Sequence, residues 1–479
     1  MNKMDSAGSG GEPVGNLGFV GGIVAVATIG GFLFGYDSGA VNGTQGGLRA
    51  AFGLSDSGLG FTVASLLIGC FIGAFFAGWL ADRLGRRNVM RMAAILFTIG
   101  ALLQGFAHDW LLFLPARLVG GMAVGAASVL SPAYISEIAP AHIRGRMSTV
   151  QQIMIITGLT AAFVVNYFLQ QAAGNDSLRP FWAGIAAWRW MYLMQAIPAV
   201  VFLLALFVIP ESPRFLVLMK REEEALAVLT RLFGAAAARP KLDEIRASFS
   251  ADHRPRLADV KTPGGGGFLG IRPVVWAGIM LAAFQQFVGI NIIFYYGETL
   301  WKLAGVSEAV ALQRNIVSGV VSIAACFLTI AVIDRIGRKP ILLIGSAGMA
   351  VTLFGMVFAF SQGSLGPTGE LALPGNMGTL ALIAANLYVI FFNFSWGPVM
   401  WVMLGEMFPN QIRGSALAVC GFVQWFSNWL ITVSFPSMAS GLGLTVSYTV
   451  YAVSAVISFF LVQRLINETR GRELEQMEG

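Results

Sequence analysis

Twelve apolar stretches divide the chain, near residues 17–43, 59–81, 88–107, 110–136, 147–170, 189–209, 273–301, 310–333, 340–361, 377–404, 414–438 and 444–466. Each reaches the roughly 20 residues that carry an α-helix across bilayer hydrocarbon. In that solvent a backbone satisfies its own polar groups only as a helix or a closed barrel. The predicted fold class is therefore an all-α membrane protein with twelve transmembrane helices. Composition agrees: 12% of the 479 residues are charged and 56% hydrophobic, against about a quarter charged in soluble domains. That excludes a soluble or single-anchor enzyme. The formal charge of +6 reads as topological loop bias and not as nucleic-acid binding. Cys70, Cys326 and Cys420 sit inside apolar runs, as packing residues do, and His108, His142 and His253 fall in loops, so neither a disulfide framework nor a metal site is expected.

An even number of spans puts both termini on one side of the membrane. Placing them in the cytoplasm leaves 25 Lys/Arg inside, five outside (Arg49, Arg179, Arg189, Lys302, Arg314) and Arg117 within a span, the bias expected of cytoplasmic loops. The one long hydrophilic stretch, Glu211 to Arg272, holds 19 of the 56 charges. The predicted organisation is a disordered cytoplasmic tail (1–16), a six-helix bundle (17–210), a cytoplasmic linker (211–272), a second six-helix bundle (273–466) and a cytoplasmic C-terminal tail (467–479). Within the linker, Leu226, Leu229, Leu232 and Phe233, then Leu242, Ile245 and Phe249, recur at helical spacing, which predicts short amphipathic helices. The run Gly264–Gly267 reads as a flexible spacer.

An internal repeat relates the halves. Asp82-Arg83-Leu84-Gly85-Arg86-Arg87 after span 2 recurs as Asp334-Arg335-Ile336-Gly337-Arg338-Lys339 after span 8. Glu137-x-x-Pro140-x-x-Ile143-Arg144-Gly145 after span 4 recurs as Glu406-x-x-Pro409-x-x-Ile412-Arg413-Gly414 after span 10. Parallel repeats of six spans imply two bundles around a midplane site. These loops, with Pro210-Glu211-Ser212-Pro213-Arg214 and the segment QQFVGINIIFYY at 285–296, resemble the sugar porter family of the major facilitator superfamily, over residues ~20 to ~472. The likeness is greatest to bacterial proton-coupled aldose symporters of the D-xylose type. It implies the major facilitator fold, a small-molecule sugar as ligand, the plasma (cell inner) membrane as location, the proton as coupling ion with no other cofactor, and no obligate protein partner. The chain departs from the family at Asn467, where Pro is usual, and only a softer end to helix twelve is expected there.

Asp37 and Arg117 are ionisable groups inside spans, where a functional role is the default. At about 1.5 Å per residue, Asp37 lies roughly 27 Å along span 1 and Arg117 roughly 10 Å along span 4 from the opposite face, so both fall in the outer half. A guanidinium favours the ionised carboxylate and desolvation opposes it, so moving either group changes proton affinity. The alternative is a static ion pair between helices. By resemblance, proton-coupled members carry Asp at this position and uniporters commonly Asn. Gln195 stands where some relatives have a second acid.

A neutral polyol is bound by amides, hydroxyls and an aromatic face. The candidates are Gln152, Gln285, Gln286, Asn291, Trp401, Gln424 and Trp425, with Asn428 sharing a helical face with Gln424. Gln286 and Asn291 would diverge by about 140° on a straight helix, so their convergence predicts a break, at Gly289. Such amides also serve helix-to-helix bonding; by resemblance Gln152, Gln285, Gln286, Asn291 and Trp401 match sugar-contacting positions. Tyr295 and Tyr296 resemble an external gate, with aromatic packing as the alternative. Leu159 and Ser322 stand where relatives carry further amides. The loop charges Asp82, Arg86, Glu137, Arg144, Glu211, Arg214, Asp334, Arg338, Glu406 and Arg413 are expected to latch an inner gate, Asp82 and Asp334 by capping or by pairing across the bundle interface, with Gly78 and Gly85 allowing close backbone approach. Simple topology-setting charge is the alternative. Asn42-Gly43-Thr44 and Asn175-Asp176-Ser177 match the glycosylation pattern, a match too short to carry weight. The expected function is proton-coupled import of an aldose, D-xylose or D-glucose, by alternating access. A uniporter and a non-transporting sensor are the rivals, the latter disfavoured by the short C-terminal tail. No catalytic residues are expected.

Overall fold

A computed structural model describes residues 16–139, 144–251, 260–262, 268–303, 307–365, 371–409 and 412–470. Among these, twelve helical segments are long and apolar enough to cross a membrane. They are span 1 (Leu17–Asn42), span 2 (Asp56–Leu84), span 3 (Arg86–Phe106), span 4 (Trp110–Ile138), span 5 (Thr149–Ala172), span 6 (Ala187–Ala205), span 7 (Pro273–Gly297), span 8 (Val310–Ile333), span 9 (Arg338–Ser361), span 10 (Met377–Met407), span 11 (Ser415–Gly441) and span 12 (Gly443–Leu465). All twelve expected spans are present. Short two-stranded hairpins, Pro180–Trp182 with Ile185–Ala186 and Ser364–Leu365 with Leu371–Ala372, sit between spans 5 and 6 and between spans 9 and 10.

Helices in lipid gain little from hiding apolar side chains from one another, so they associate by close packing of small residues. Span 1 packs on span 5 in this way: a Cβ at Gly35 would fall 1.7 Å from the Ile155 carbonyl oxygen. Spans 2 and 4 pack likewise, and their counterparts in the second half, spans 8 and 10, also pack on each other. The halves meet where span 2 lies along span 11, span 5 along span 8, and span 1 along span 7.

Several spans are broken. Span 7 parts into Pro273–Phe287 and Ile290–Leu303, with Gly289 between them at φ +84°. That backbone conformation favours glycine, and it bears out the expected break. Span 10 breaks at Ser395 (φ −125°, ψ −84°), between Met377–Phe394 and Trp396–Met407. Span 1 breaks at Thr28, whose hydroxyl bonds the Val24 carbonyl, and span 6 breaks at Met194–Gln195. These three breaks were not expected, because Thr, Gln and Ser are compatible with a continuous helix.

The linker forms helices Pro213–Leu218, Glu222–Phe233 and Ala235–Ala251. Leu216, Val217, Ala225, Leu229, Ala238 and Leu242 make their own small core. The Leu232 carbonyl accepts from the Asn16 N–H, and the Arg231 guanidinium sits 4.3 Å from the Phe19 ring, so the linker is fastened to the start of span 1. The glycine run 264–267, Phe249 as a side chain, most of the N-terminal tail and residues 471–479 lie outside the described residues.

Candidate functional site

The ionisable pair comes together as expected. Arg117 donates to Asp37 Oδ1 at 3.0 Å and Oδ2 at 3.1 Å, to Gln104 Oε1 at 3.3 Å and to the Val63 carbonyl at 3.0 Å. Each of the pair is 1% exposed. Burying an ion pair costs several kcal/mol of desolvation per ion, so the charges persist only because each oxygen and most N–H groups are met. Gln104 and the Val63 carbonyl are partners that sequence reading missed. A lone amide in an apolar run does not say which helix it faces.

Across the interface, the second half presents a line of amides. Asn291 donates to Gln286 Oε1 at 2.6 Å, and Gln286 donates to Gln285 Oε1 at 2.7 Å. Gln424 donates to the same oxygen at 3.2 Å, and Gln285 donates to the Trp396 carbonyl at 3.4 Å. The break at Gly289 turns Asn291 back on Gln286, which a straight helix forbids. Gln424 Oε1 is buried without a partner, an acceptor for a hydroxyl. Trp425 is buried and packs edge-on against Phe34 of span 1, with centroids 5.2 Å apart. Gln152 of span 5 faces span 10, since a Cβ on Gly397 would lie 3.4 Å from its Nε2. Trp401 is one helical turn further along that face of span 10. At 41% exposed, it stands outside the amide chain. The departures from the family do not reach the amides: the Ser322 hydroxyl bonds its own helix at Ser318, and Leu159 packs against Gly35.

The two tyrosines are buried at the top of this site. Tyr296 donates to the Thr432 carbonyl at 2.9 Å, and the Tyr295 hydroxyl accepts from Asn428 at 3.5 Å. Above them the halves are joined by neutral amides. Asn42 donates to the Phe294 carbonyl at 2.7 Å and accepts from Asn315 at 2.8 Å, and Gln45 donates to the Tyr295 carbonyl. Asn42 is fully buried, so the glycosylation-like match there is structural. Asn42, Gln45, Asn315 and Asn428 were missing from the sequence reading of the site or left at its margin.

At the opposite end the repeated motifs form two copies of one arrangement. Arg86 pairs with Glu137 at 3.1 Å and with Asp82 at 3.0 Å, while Arg338 pairs with Glu406 at 3.0 Å. Glu211 accepts the Arg87 N–H at 3.2 Å, and the Ser212 hydroxyl donates to Glu137. In the second half Glu468 accepts the Arg338 and Lys339 N–H groups at 3.0 and 2.9 Å, and the Thr469 hydroxyl donates to Glu406 at 2.6 Å. Burial pushes the Glu468 carboxyl up, but the N–H groups of Arg470, Arg338, Lys339 and Thr469 together hold it below the ordinary range. The stretch from Asn467 is thus not merely a softer helix end. Its Glu-Thr answers the Glu-Ser at 211–212, a third repeat hidden by the missing proline. Asp82 is corrected: it pairs with Arg86 in its own loop and not across the interface. Gly78 is corrected too, since nothing lies within 4 Å of a Cβ there, whereas one at Gly85 would meet Glu211. Arg214 lies within electrostatic reach of Glu137. The side chains of Arg144, Asp334 and Arg413 lie outside the described residues.

The sequence profile described as "Sugar (and other) transporter" matches residues 23–479. The chain belongs to the sugar transporter family. Within it, the "Glucose transport protein" of Synechocystis sp. is 42% identical over 99% of this chain and 100% of that protein. The "D-xylose-proton symporter" of Escherichia coli K12 is 37% identical over 97% and 96%. Among solved structures, the proton:xylose symporter XylE bound to 6-bromo-6-deoxy-D-glucose superposes with a TM-score of 0.79 at 36% identity, covering 96% of this chain and 99% of that one. These matches give this sugar transporter family member the major facilitator fold, and the family is one of transporters.

Proposed function

We propose that this sugar transporter family member is a proton-coupled symporter that imports an aldose, D-xylose or D-glucose, by alternating access through the cell's plasma membrane. The observation that carries the reading is the buried Asp37–Arg117 pair, set beside the broken span 7 that holds Gln285, Gln286 and Asn291. The titratable pair on spans 1 and 4 thus lies across the interface from span 7, whose Tyr295 lines one small cavity with Asp37 and Arg117. The relatives named for glucose and for D-xylose with a proton support the substrate class and the ion.

With both termini in the cytoplasm, as the loop charges support, the Asn42–Asn315 contacts seal the outer side. The ion pairs described at the inner end, Arg86 with Glu137 and Arg338 with Glu406, each stay within one bundle. That combination fits an inward-facing carrier. In the cycle, protonation of Asp37 from outside loosens its hold on Arg117, sugar-loaded closure follows, and deprotonation inside resets the pair. A driving force of about 150 mV gives one proton roughly 3.5 kcal/mol, enough for a sugar gradient of a few hundredfold. Uptake of labelled aldoses into proteoliposomes tests the reading. Accumulation of D-xylose or D-glucose above the outside concentration is expected only with an inward proton gradient. Equal filling with and without it would make the protein a uniporter, and no uptake of any aldose would favour a sensor.

A further inference from the structure

The break in span 7 releases a backbone group that the amide line does not use. In a continuous helix the Val288 carbonyl would accept from the Ile292 N–H, four residues on. Here that N–H donates to the Gly289 carbonyl at 3.1 Å instead, and Val288 is fully buried. A carbonyl left unmet inside a bilayer has no water to turn to. The Tyr388 hydroxyl of span 10 meets it, donating at 2.7 Å from a side chain with no exposed surface. Tyr448 and Tyr451 of span 12 lie within electrostatic reach of Tyr388 and pack edge-on against each other, with centroids 5.7 Å apart. Both of their hydroxyls are buried without a hydrogen-bond partner among the described residues. In this group of three phenols the engaged hydroxyl is the one at the break.

We propose that Tyr388 is a positioning residue of the sugar site: its hydroxyl holds the Val288 carbonyl out of the helical ladder and so keeps Asn291 turned onto Gln286. The proposal rests on the reading of these amides as sugar-binding. Without the phenol proton, the donor left for the carbonyl is the Ile292 N–H of its own segment. Taking it closes the helical bond across the break, and Gly289, free to adopt either sign of φ, follows into helical geometry. On the straightened helix Asn291 and Gln286 stand about 140° apart, and the 2.6 Å bond between them is lost. A second tie runs the other way: Gln285 donates to the Trp396 carbonyl at 3.4 Å, beside the Ser395 break of span 10. Spans 7 and 10 thus each send a side chain to the other's backbone next to a break. Tyr388 acts through Asn291 and needs no contact with the sugar.

Calorimetry of D-xylose and D-glucose binding to the full-length protein tests the assignment. Tyr388→Phe keeps the ring, removes the hydroxyl and should weaken aldose affinity about tenfold, the size expected for one lost buried hydrogen bond. Asn291→Ala should weaken it as well. Adding Tyr388→Phe to Asn291→Ala should then cost no further affinity, because both changes remove the same contact. Tyr448→Phe and Tyr451→Phe delete hydroxyls that hold nothing, and should bind as the parent does. A tyrosine of purely structural importance would lower the thermal midpoint and leave affinity intact, or would weaken the Asn291→Ala protein as much as the parent. Parental affinity in Tyr388→Phe, additive losses in the double variant, or equal losses in all three phenylalanine variants overturns the proposal. Parental affinity in Asn291→Ala overturns the reading of the amides as the sugar site instead.

Discussion

The amide line has a fixed polarity that sets what each member gives a sugar. Gln286 gives one N–H to Gln285 and accepts from Asn291, so a sugar hydroxyl must replace one of these bonds or use the second N–H or the remaining lone pair. Gln286→Ala removes the central member and should weaken aldose affinity roughly tenfold, about 1–2 kcal/mol for a lost buried partner. Calorimetry on the purified protein checks this, and unchanged affinity would take Gln286 out of the site. Asp37, Arg117 and Gln286 were legible in the sequence because ionisable and amide groups stand out in apolar runs. Gln104 and Asn315 were not, for lack of a second residue in sequence to show where each pointed, and Asn428 was read only as sharing a face with Gln424. Asn42 was obscured by the pattern Asn-x-Thr.

Broken helices convert these residues into sites. At Gly289 an added Cβ would lie 2.6 Å from the Tyr451 ring, on a backbone at φ +84°. Gly289→Ala should therefore cost about 1–3 kcal/mol in strain and pull Asn291 away from Gln286. Its expected signature is a lower thermal midpoint with aldose affinity reduced further than by Gln286→Ala; a variant with parental stability and affinity would deny the break its role. The glycine made that break readable, whereas Thr28 and Ser395 gave no warning, because their hydroxyls satisfy backbone carbonyls locally. The Glu468 cap belongs to this scale too. Its lowered carboxyl stabilises the fold above the ordinary glutamate pKa, and that contribution is lost as pH falls through the lower folded value. The midpoint difference between the parent and Glu468→Gln should therefore be present near pH 7 and shrink towards about pH 3. A difference independent of pH would show that the carboxylate's charge is not what caps span 9.

For the whole molecule, the bundles are held together at one end by the uncharged contacts of Asn42, Gln45 and Asn315, and the ion pairs described at the other end stay within bundles. An amide latch is insensitive to salt, because it holds no net charge to screen. Asn315→Ala should shift the population towards the outward-open form. Spin-label distances across the outer end should lengthen in the variant, and unchanged distances would mean that the helix packing closes that end unaided. The division into two bundles was readable from the repeated loops, because parallel repeats demand matching halves. The state of the gate was not, since it depends on which inter-bundle contacts form among alternatives of similar energy. The proposed cycle requires that Asp37 couple proton entry to sugar entry. Its most direct test is the external pH of a weakly buffered proteoliposome suspension on addition of D-xylose or D-glucose. The parent should alkalinise the medium as sugar enters, and Asp37→Asn should not, while still exchanging labelled sugar. Alkalinisation that persists in Asp37→Asn, or sugar entry by the parent with no pH change, would contradict it.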